Sequence, residues 1–198
     1  MRPPGRAEGE CRSAQREGTP VSALPAEIRT NRLVLRAPSL ADADDLYTSY
    51  TQDPAVCRYM VWAPHRSLAE TQNFLVACVA AWQGESRRPY VICAGGQSKP
   101  LGMIEARLDS GTADIGYVLA RLHWGLGFMP EAARALAASA LSIPAFYRVQ
   151  ATCDTENIPS QRVLDKAGFH REGRLERYVV HPNLSSEPRA CFMYAKCK

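Results

Sequence analysis

The sequence predicts an α+β fold in which helices cover a mixed β-sheet. Strand-like and helix-like segments follow one another in the irregular order β-α-α-β-β-β-α-β-α-β-β. This order fits neither a regular βαβ winding nor an all-β sandwich. Two further observations support the prediction: serines stand at the starts of the early helices, and a glycine turn joins a strand to an alanine-rich helix.

Length and composition indicate one ordinary globular domain. The chain has 198 residues, 46% of them hydrophobic and 22% charged, which is typical of soluble proteins. We expect a single domain over residues 27–198. Residues 1–26 are rich in proline, glycine and mixed charges and have no apolar signal-peptide segment, so they are expected to form a disordered leader.

Charge, hydropathy and cysteine usage argue against several classes of function. The net charge is only +4 and its Lys and Arg residues are scattered, so no nucleic-acid partner is expected, although the surplus suits a small polyanionic ligand. No stretch approaches the ~20 apolar residues that cross a membrane. The seven cysteines are odd in number and lack metal-type spacing. We therefore expect a cytoplasmic protein without a bound metal.

The first half of the chain carries clear local signals. Loosely alternating apolar residues predict a strand over 28–35. Ser39 caps a predicted helix over 41–50, which Asp53-Pro54 ends. Ser67, followed three residues later by a glutamate, forms a capping box for a second helix that runs to about residue 82.

The second half combines strands with two helices. Turn-rich residues join the first two strands into a hairpin, proline lies near the start of the first helix, and Gly168 closes the second. The predicted strands are 90–94, 102–108, 113–119, 147–153, 174–180 and 191–196, and the helices are 130–141 and 157–167.

A glycine turn, Trp124-Gly125-Leu126-Gly127, joins a strand to a helix. Glycines let the backbone approach a ligand closely, and the free N–H groups at a helix start attract anions, so this arrangement suits a phosphate. By itself the turn is also what an ordinary loop requires. It lacks the dinucleotide-binding and NTPase spacings, so it indicates neither nicotinamide cofactors nor ATP.

A more specific pattern follows at Asn157-Ile158-Pro159-Ser160 and at Val163-Leu164-Asp165-Lys166-Ala167-Gly168-Phe169. Both segments resemble the coenzyme A-binding half of the GNAT superfamily, in particular its RimJ/RimL-like N-acetyltransferases. The resemblance covers about residues 28–196. It includes the opening Thr30-Asn31-Arg32-Leu33-Val34-Leu35-Arg36, the central Ile115-Gly116-Tyr117 and the glycine turn.

The resemblance implies a GNAT-like fold and a site for acetyl-CoA as the acyl donor. The sheet is expected to be mixed and splayed, with central parallel strands that separate to admit the pantetheine arm. Asn157 is expected to bond the pantetheine, although it is equally suited to act as a plain helix N-cap, and the two roles are compatible. The other expected contacts are Leu119 for the pantetheine and the amides of Gly125, Leu126, Gly127, Phe128 and Met129 for the pyrophosphate.

Ser160 is the catalytic candidate that the resemblance implies. Relatives carry a hydroxyl here that can bond the cofactor sulfur, so Ser160 is expected to protonate the departing thiolate. The alternative is an ordinary first-turn serine. A thiol with a pKa near ~8.5 gives a leaving group that water can also protonate.

The expected reaction is direct attack of a neutral amine on the thioester in a ternary complex. An α-amine with a pKa near ~7.8 costs about 1 kcal/mol to neutralise at neutral pH, whereas a lysine-type amine costs roughly 4. This favours a peptide N-terminus or amino acid-like α-amine as the acceptor; another small-molecule amine or another acyl group is the alternative. Glu105, Asp114 and Glu176 are candidate bases, and the sequence does not select among them.

Departures from the family pattern leave a second function open. Leu122 replaces a Gln or Arg that often precedes the loop, and Ala190 stands where relatives often carry Asp. A coenzyme A-binding sensor or scaffold without catalysis is the alternative to an enzyme. Trp62, Pro64 and His65 match a family stretch on the acceptor side and are expected either to line that pocket or to form a packed turn. A monomer or homodimer is expected.

Overall fold

The computed structural model describes residues 24–198. The predicted leader at residues 1–26 lies outside the described residues except for its last three. Of these, Leu24 is buried in the core, and the carbonyl of Pro25 accepts a hydrogen bond of 2.7 Å from the Tyr90 hydroxyl. The chain is therefore in contact with the domain from Leu24 onward.

Eight strands form one mixed sheet in the spatial order β1-β2-β3-β4-β5-β6-β8-β7. Neighbouring strands are antiparallel except for β5 and β6, which are parallel. The strands are β1 (Glu27–Arg29), β2 (Leu33–Arg36), β3 (Arg87–Ala94), β4 (Pro100–Asp109), β5 (Thr112–Leu119), β6 (Arg148–Asp154), β7 (His170–Val179) and β8 (Arg189–Cys197).

Five α-helices flank the sheet, and the α+β prediction is confirmed. Ser67 caps α3 as predicted, because its hydroxyl accepts the Glu70 N–H at 3.4 Å. The described helices include none that is long and apolar enough to cross a membrane. The helices are α1 (Ala43–Leu46), α2 (Pro54–Cys57), α3 (Leu68–Ala81), α4 (Phe128–Ser142) and α5 (Ile158–Ala167).

The prediction of one long strand over 28–35 is wrong, because this segment forms the β1–β2 hairpin. The Thr30 hydroxyl accepts the N–H of Leu33 at 2.8 Å, which closes a tight turn between the two short strands. The polar run Arg29-Thr30-Asn31-Arg32 interrupts the apolar alternation and marks the turn, which the prediction of a single strand did not take into account.

The short helix α2 is absent from the sequence prediction, in which Asp53-Pro54 only ends the preceding helix. In the structure the Asp53 carboxylate also accepts the N–H of Ala55 at 2.9 Å, and Pro54 occupies the first helical position. The dipeptide therefore ends one helix and caps the next.

The sheet is buried on both faces, and each face has its own cluster of apolar side chains. On one side α4 and α5 cover the sheet, and Leu136 of α4 belongs to the same cluster as Ile92 of β3. On the other side α1 to α3 cover the sheet, and Leu75 of α3 belongs to the same cluster as Val91 of β3. Ile92 and Val91 are neighbours on β3 and point to opposite faces, as strand geometry requires.

The only parallel pair in the described sheet separates after a short contact. The β5–β6 ladder holds three residue pairs, from Thr112 with Arg148 to Asp114 with Gln150. Beyond this point β5 continues to Leu119 without a partner on β6 among the described residues. The strands are therefore splayed, as the resemblance implied, and a gap opens between their carboxyl ends.

Gly102 on β4 fixes how closely β5 approaches its other neighbour, and its replacement provides a test. A Cβ at this position would lie 2.3 Å from the Val118 carbonyl oxygen and 2.8 Å from the Cα of Leu119. We expect Gly102→Ala to lower the free energy of unfolding by about 1–3 kcal/mol, because backbone atoms must move. Urea denaturation measures this.

Gly173→Ala is the matched strand control, since a Cβ at this position would have no atom of the described residues within 4 Å. We expect it to change the free energy of unfolding by less than about 0.5 kcal/mol. Equal urea midpoints for the two variants would show that β4 and β5 are not held this closely.

Candidate functional site

Two cavities open along the gap between β5 and β6. The first, of about 660 Å³, lies beside the glycine turn and the starts of α4 and α5. The second, of about 630 Å³, lies against β4, β5, β6 and the segment after β7. They meet at a shared wall formed by Tyr59, Met60, Tyr117, Val118, Asn157 and Ser160. Two ligands can therefore reach each other at this junction.

The glycine turn forms one wall of the first cavity. Gly125 and Gly127 have φ angles of 78° and 79°, in the left-handed region that favours glycine, and Gly127 is the N-cap of α4. Both glycines line the cavity together with Phe128 and Met129. Leu126 does not line the cavity, and its side chain is 53% exposed.

A buttress from the β1–β2 turn holds the glycine turn in place. Arg32 donates to the Leu126 carbonyl at 3.0 Å and to the Glu131 carboxylate at 2.7 Å, and its guanidinium stacks 4.8 Å from the Phe128 ring centroid. The Thr30 hydroxyl donates to Glu131 at 2.6 Å. Burial opposes ionisation of Glu131, but these hydrogen bonds outweigh it and lower its pKa. These contacts give a structural role to Thr30 and Arg32, which stand just before β2.

Leu119 lies at the end of β5, where the strand meets the first cavity. Its carbonyl accepts a hydrogen bond of 2.8 Å from the indole N–H of Trp124. The tryptophan thereby ties the glycine turn to the strand end. The expected contact of Leu119 with pantetheine remains a prediction.

A pair of hydroxyl groups bridges the gap at the junction of the cavities. Tyr117 on β5 and Ser160 on α5 lie 2.8 Å apart, oxygen to oxygen. Asn157 accepts the Ser160 N–H at 3.2 Å, so it acts as the helix N-cap. Burial raises the pKa of Tyr117. The sequence indicates Tyr117 only as part of the central strand, because nothing in it links this residue to Ser160.

Arginines pair with all three carboxylates that are candidate bases, including Glu176, which Arg174 contacts at 3.0 Å. Arg87 binds Glu105 through two hydrogen bonds of 2.9 and 2.8 Å, and Arg107 binds Asp114. Both carboxylates line the second cavity. The third, Glu176, is exposed and belongs to neither wall as far as the described residues show.

A buried polar cluster that the sequence did not predict lines the same cavity. The Asp154 side chain is fully buried and accepts from Arg189 at 2.6 and 3.2 Å and from the Glu156 N–H at 2.9 Å. Burial opposes its ionisation, yet these bonds lower its pKa. The Nε2 atom of His181 lies 3.7 Å from Asp154. Both ring nitrogens of His181 are buried without a hydrogen-bond partner among the described residues.

The stretch around Trp62 has one residue on a cavity wall and another that packs beside it. Trp62 lines the second cavity. His65 instead packs against Trp62, with ring centroids 5.2 Å apart, and its Nδ1 lies 2.7 Å from the Thr71 hydroxyl. The backbone N–H of His65 also donates to the Thr51 carbonyl at 2.9 Å, so His65 packs in the structure, and the expected role of Trp62, Pro64 and His65 in an acceptor pocket remains a prediction.

Cys153 also lines the second cavity and is buried. Burial raises the pKa of its thiol to about 12. At neutral pH it is therefore an uncharged thiol, whereas nucleophilic cysteines act as thiolates. This agrees with a reaction that needs no covalent enzyme intermediate.

Leu122, which differs from the family pattern, does not line either cavity. Its side chain is 89% exposed on the turn before the glycines. Ala190 follows Arg189, which takes its acidic partners from Asp154 and Glu156.

Comparison with known proteins gives consistent matches. Residues 32–170 match the family model described as acetyltransferase (GNAT) domain. The chain is 31% identical over 153 residues to an uncharacterized N-acetyltransferase p20 of Bacillus licheniformis, covering 75% of this chain and 85% of that protein.

Two solved structures share the fold at lower identity. The microcin C7 self-immunity acetyltransferase MccE, solved with acetyl-CoA and AMP, has a TM-score of 0.80 and 23% identity and covers 90% of this chain and 99% of its own. The ribosomal L7/L12 alpha-N-protein acetyltransferase RimL, solved with coenzyme A, has a TM-score of 0.75 and 22% identity. The match covers 88% of this chain and 97% of the RimL chain.

The charge on Asp154 makes a testable contribution to acid stability. Because its pKa is lowered in the folded protein, its stabilising effect is present above the unfolded value of about 3.9 and is lost as the pH falls through the folded pKa. We expect Asp154→Asn to cost about 2 kcal/mol at pH 7. The difference from the unmodified protein should shrink at pH 3, as measured by urea denaturation.

Asp165→Asn, an exposed carboxylate on α5, is the control and should have little effect at either pH. A deficit for Asp154→Asn that is the same at pH 7 and pH 3 would show that the carboxylate charge is not the stabilising feature.

Proposed function

The chain belongs to the GNAT family of acetyltransferases, and we propose that it transfers the acetyl group of acetyl-CoA to an α-amine by direct attack in a ternary complex. The acceptor is a peptide N-terminus or an amino acid-like amine, as in the RimJ/RimL-like branch. The observation that carries the proposal is the meeting of two cavities at the Tyr117–Ser160 pair, where the strands have separated.

The first cavity suits the acyl donor. Coenzyme A carries a pyrophosphate and a further phosphate, and the N-terminal N–H groups of α4 are unpaired donors by helix geometry. Arg162 and Lys166, one turn apart on α5, add positive charge to the same wall. Asn157 at the junction can bond the pantetheine arm while it caps α5.

The hydroxyl pair suits release of the thiolate. With the donor in the first cavity and the amine in the second, the reacting carbon lies at the shared wall. The Ser160 hydroxyl can give its proton to the departing sulfur and regain one through Tyr117, whose raised pKa keeps it protonated. A strand N–H at the free edge of β5 can stabilise the oxyanion.

The second cavity favours an acceptor with one amine. A polyamine would need several free carboxylates, whereas Glu105 and Asp114 are each bound to an arginine. An α-amine also needs only about 1 kcal/mol to become neutral at neutral pH. RimL, which shares the fold, is itself an alpha-N-protein acetyltransferase.

Release of coenzyme A with a panel of amines tests the proposed function. We expect turnover with amino acids and peptides that have a free α-amine, and much less with Nα-acetyl-lysine or spermidine. Turnover restricted to those two would refute the α-amine acceptor. Tight acetyl-CoA binding with no turnover on any amine would favour the sensor or scaffold.

Replacement of Ser160 tests the proton donor. We expect Ser160→Ala to lower kcat on the order of 10- to 100-fold, because the thiolate then takes its proton from water, with acetyl-CoA affinity nearly unchanged. Steady-state kinetics and calorimetry measure the two quantities. Ser139→Ala, a serine on α4 away from both cavities, is the control. An unchanged kcat for Ser160→Ala would assign Ser160 a structural role.

A further inference from the structure

The proposed reaction requires a group that removes a proton from the acceptor, because an α-amine is mainly protonated at neutral pH. Glu105 and Asp114 face the second cavity, but each is held by a guanidinium group. The remaining titratable groups on that wall are therefore the candidates for the base.

His181 is the group on that wall with free hydrogen-bonding capacity. Its side chain is 7% exposed and lines the second cavity. Neither ring nitrogen has a partner among the described residues. Buried polar groups in proteins nearly always have partners, so an open pair of nitrogens beside a cavity marks a place where a ligand or water completes the bonding.

The backbone around His181 is fixed although it lies in a loop. The N–H groups three and four residues later donate to its carbonyl oxygen at 2.8 and 3.0 Å. In the same turn the Asn183 amide donates to the carbonyls of Cys57 and Trp62 at 2.7 and 2.8 Å. The turn is thus anchored to the segment that forms the opposite wall, and the imidazole is held in place.

The charges around His181 suit a proton acceptor. Asp154 and Glu156 are both bound to Arg189, so two carboxylates and one guanidinium leave this group with a net charge of −1. Uptake of one proton by the imidazole brings the cluster to neutrality. Asp154 lies 3.7 Å from Nε2, and a carboxylate beside one ring nitrogen favours the tautomer that carries its proton there, which leaves Nδ1 as the acceptor.

His181 is also close to the junction of the two cavities. The Tyr59 ring, which lines both cavities, meets the imidazole edge-on with centroids 6.3 Å apart. The other titratable side chains on the cavity wall near His181 and Asp154 are Tyr59, Tyr178, Cys153 and Cys191. His181 therefore contacts a residue of the shared wall, where we propose that the amine and the thioester meet.

We propose that His181 is the catalytic base that takes a proton from the acceptor ammonium, with Asp154 as its positioning residue. This rests on the proposed function. The ammonium N–H bond breaks as an imidazole N–H bond forms, and the neutral amine then forms a C–N bond as the C–S bond breaks. The amine nitrogen loses a second proton as the amide forms, and this proton replaces the one that Ser160 gives to the thiolate. His181 then releases its own proton to solvent.

The test is the pH dependence of kcat/KM for His181→Gln, with saturating acetyl-CoA and the tripeptide Ala-Gly-Ala as the acceptor. Without the base, only the amine that is already neutral reacts. For an α-amine with a pKa near 7.8 this predicts a deficit of about 20-fold at pH 6.5 that narrows to within about twofold at pH 9. A purely structural role would give a deficit that does not change with pH.

Control measurements separate the base from a loss of folding. Melting temperature and acetyl-CoA affinity of His181→Gln should match those of the unmodified protein, and His170→Gln, an exposed histidine outside both cavities, should keep normal kinetics. Asp154→Asn should show a smaller deficit with the same narrowing toward high pH. If His181→Gln does not fold, the pH profile of Asp154→Asn becomes the test. A deficit in kcat/KM that does not change with pH then overturns the proposal.

The possible outcomes distinguish this proposal from the proposed function. Activity only on Nα-acetyl-lysine, with a deficit in His181→Gln that narrows only as the pH approaches the side-chain amine pKa of about 10.4, overturns the α-amine acceptor and supports the base. Activity on Ala-Gly-Ala that His181→Gln retains at every pH overturns the base and leaves the function standing. Absence of turnover by the unmodified protein overturns both.

Discussion

The two central parallel strands stay paired only from Thr112–Arg148 to Asp114–Gln150 and then separate. A strand edge released in this way exposes backbone N–H and C=O groups that need partners. One of these groups, the Leu119 carbonyl, accepts a hydrogen bond from the Trp124 indole, and the Tyr117 hydroxyl bridges the gap to Ser160 on α5. The rest of the edge faces the cavities. The separation therefore creates both the space for ligands and the backbone groups that can bind them.

The same gap determines how charge is arranged around it. A carboxylate that is partly removed from water needs a cation nearby, and here the cations come from adjacent strands. Arg107 lies opposite Asp114 in the β4–β5 register, and Arg189 at the start of β8 reaches Asp154 at the end of β6. Because these carboxylates are paired with arginines, few of them are free to bind a ligand or to accept a proton. The imidazole of His181, beside the Asp154 carboxylate that Arg189 already binds, is then the group that we propose for proton transfer.

Local signals in the sequence predicted much of the fold and the donor side of the site. The serine before α3, the left-handed Gly127 before α4 and Asn157 before α5 act within a turn of their own positions. The errors arose where one pattern served two purposes, as at Asp53-Pro54, or where a short polar turn was read as part of a strand, as between β1 and β2. Neither error moves a site residue, because the sheet order is set by the longer strands.

The acceptor side could not be predicted in the same way because it is assembled from distant parts of the chain. The contacts proposed for the donor are backbone groups and caps between Leu119 and Ser160, so their spacing is visible in the sequence. By contrast, Asn183 bonds to a carbonyl 126 residues away, and Tyr117 meets Ser160 across 43 residues. His181 belongs to this second kind of contact. Its position depends on a turn after β7 that docks against the segment following α2, and side chains placed by such docking can change without disturbing the donor site. Acceptor choice can therefore vary on this fold while the acyl donor stays the same.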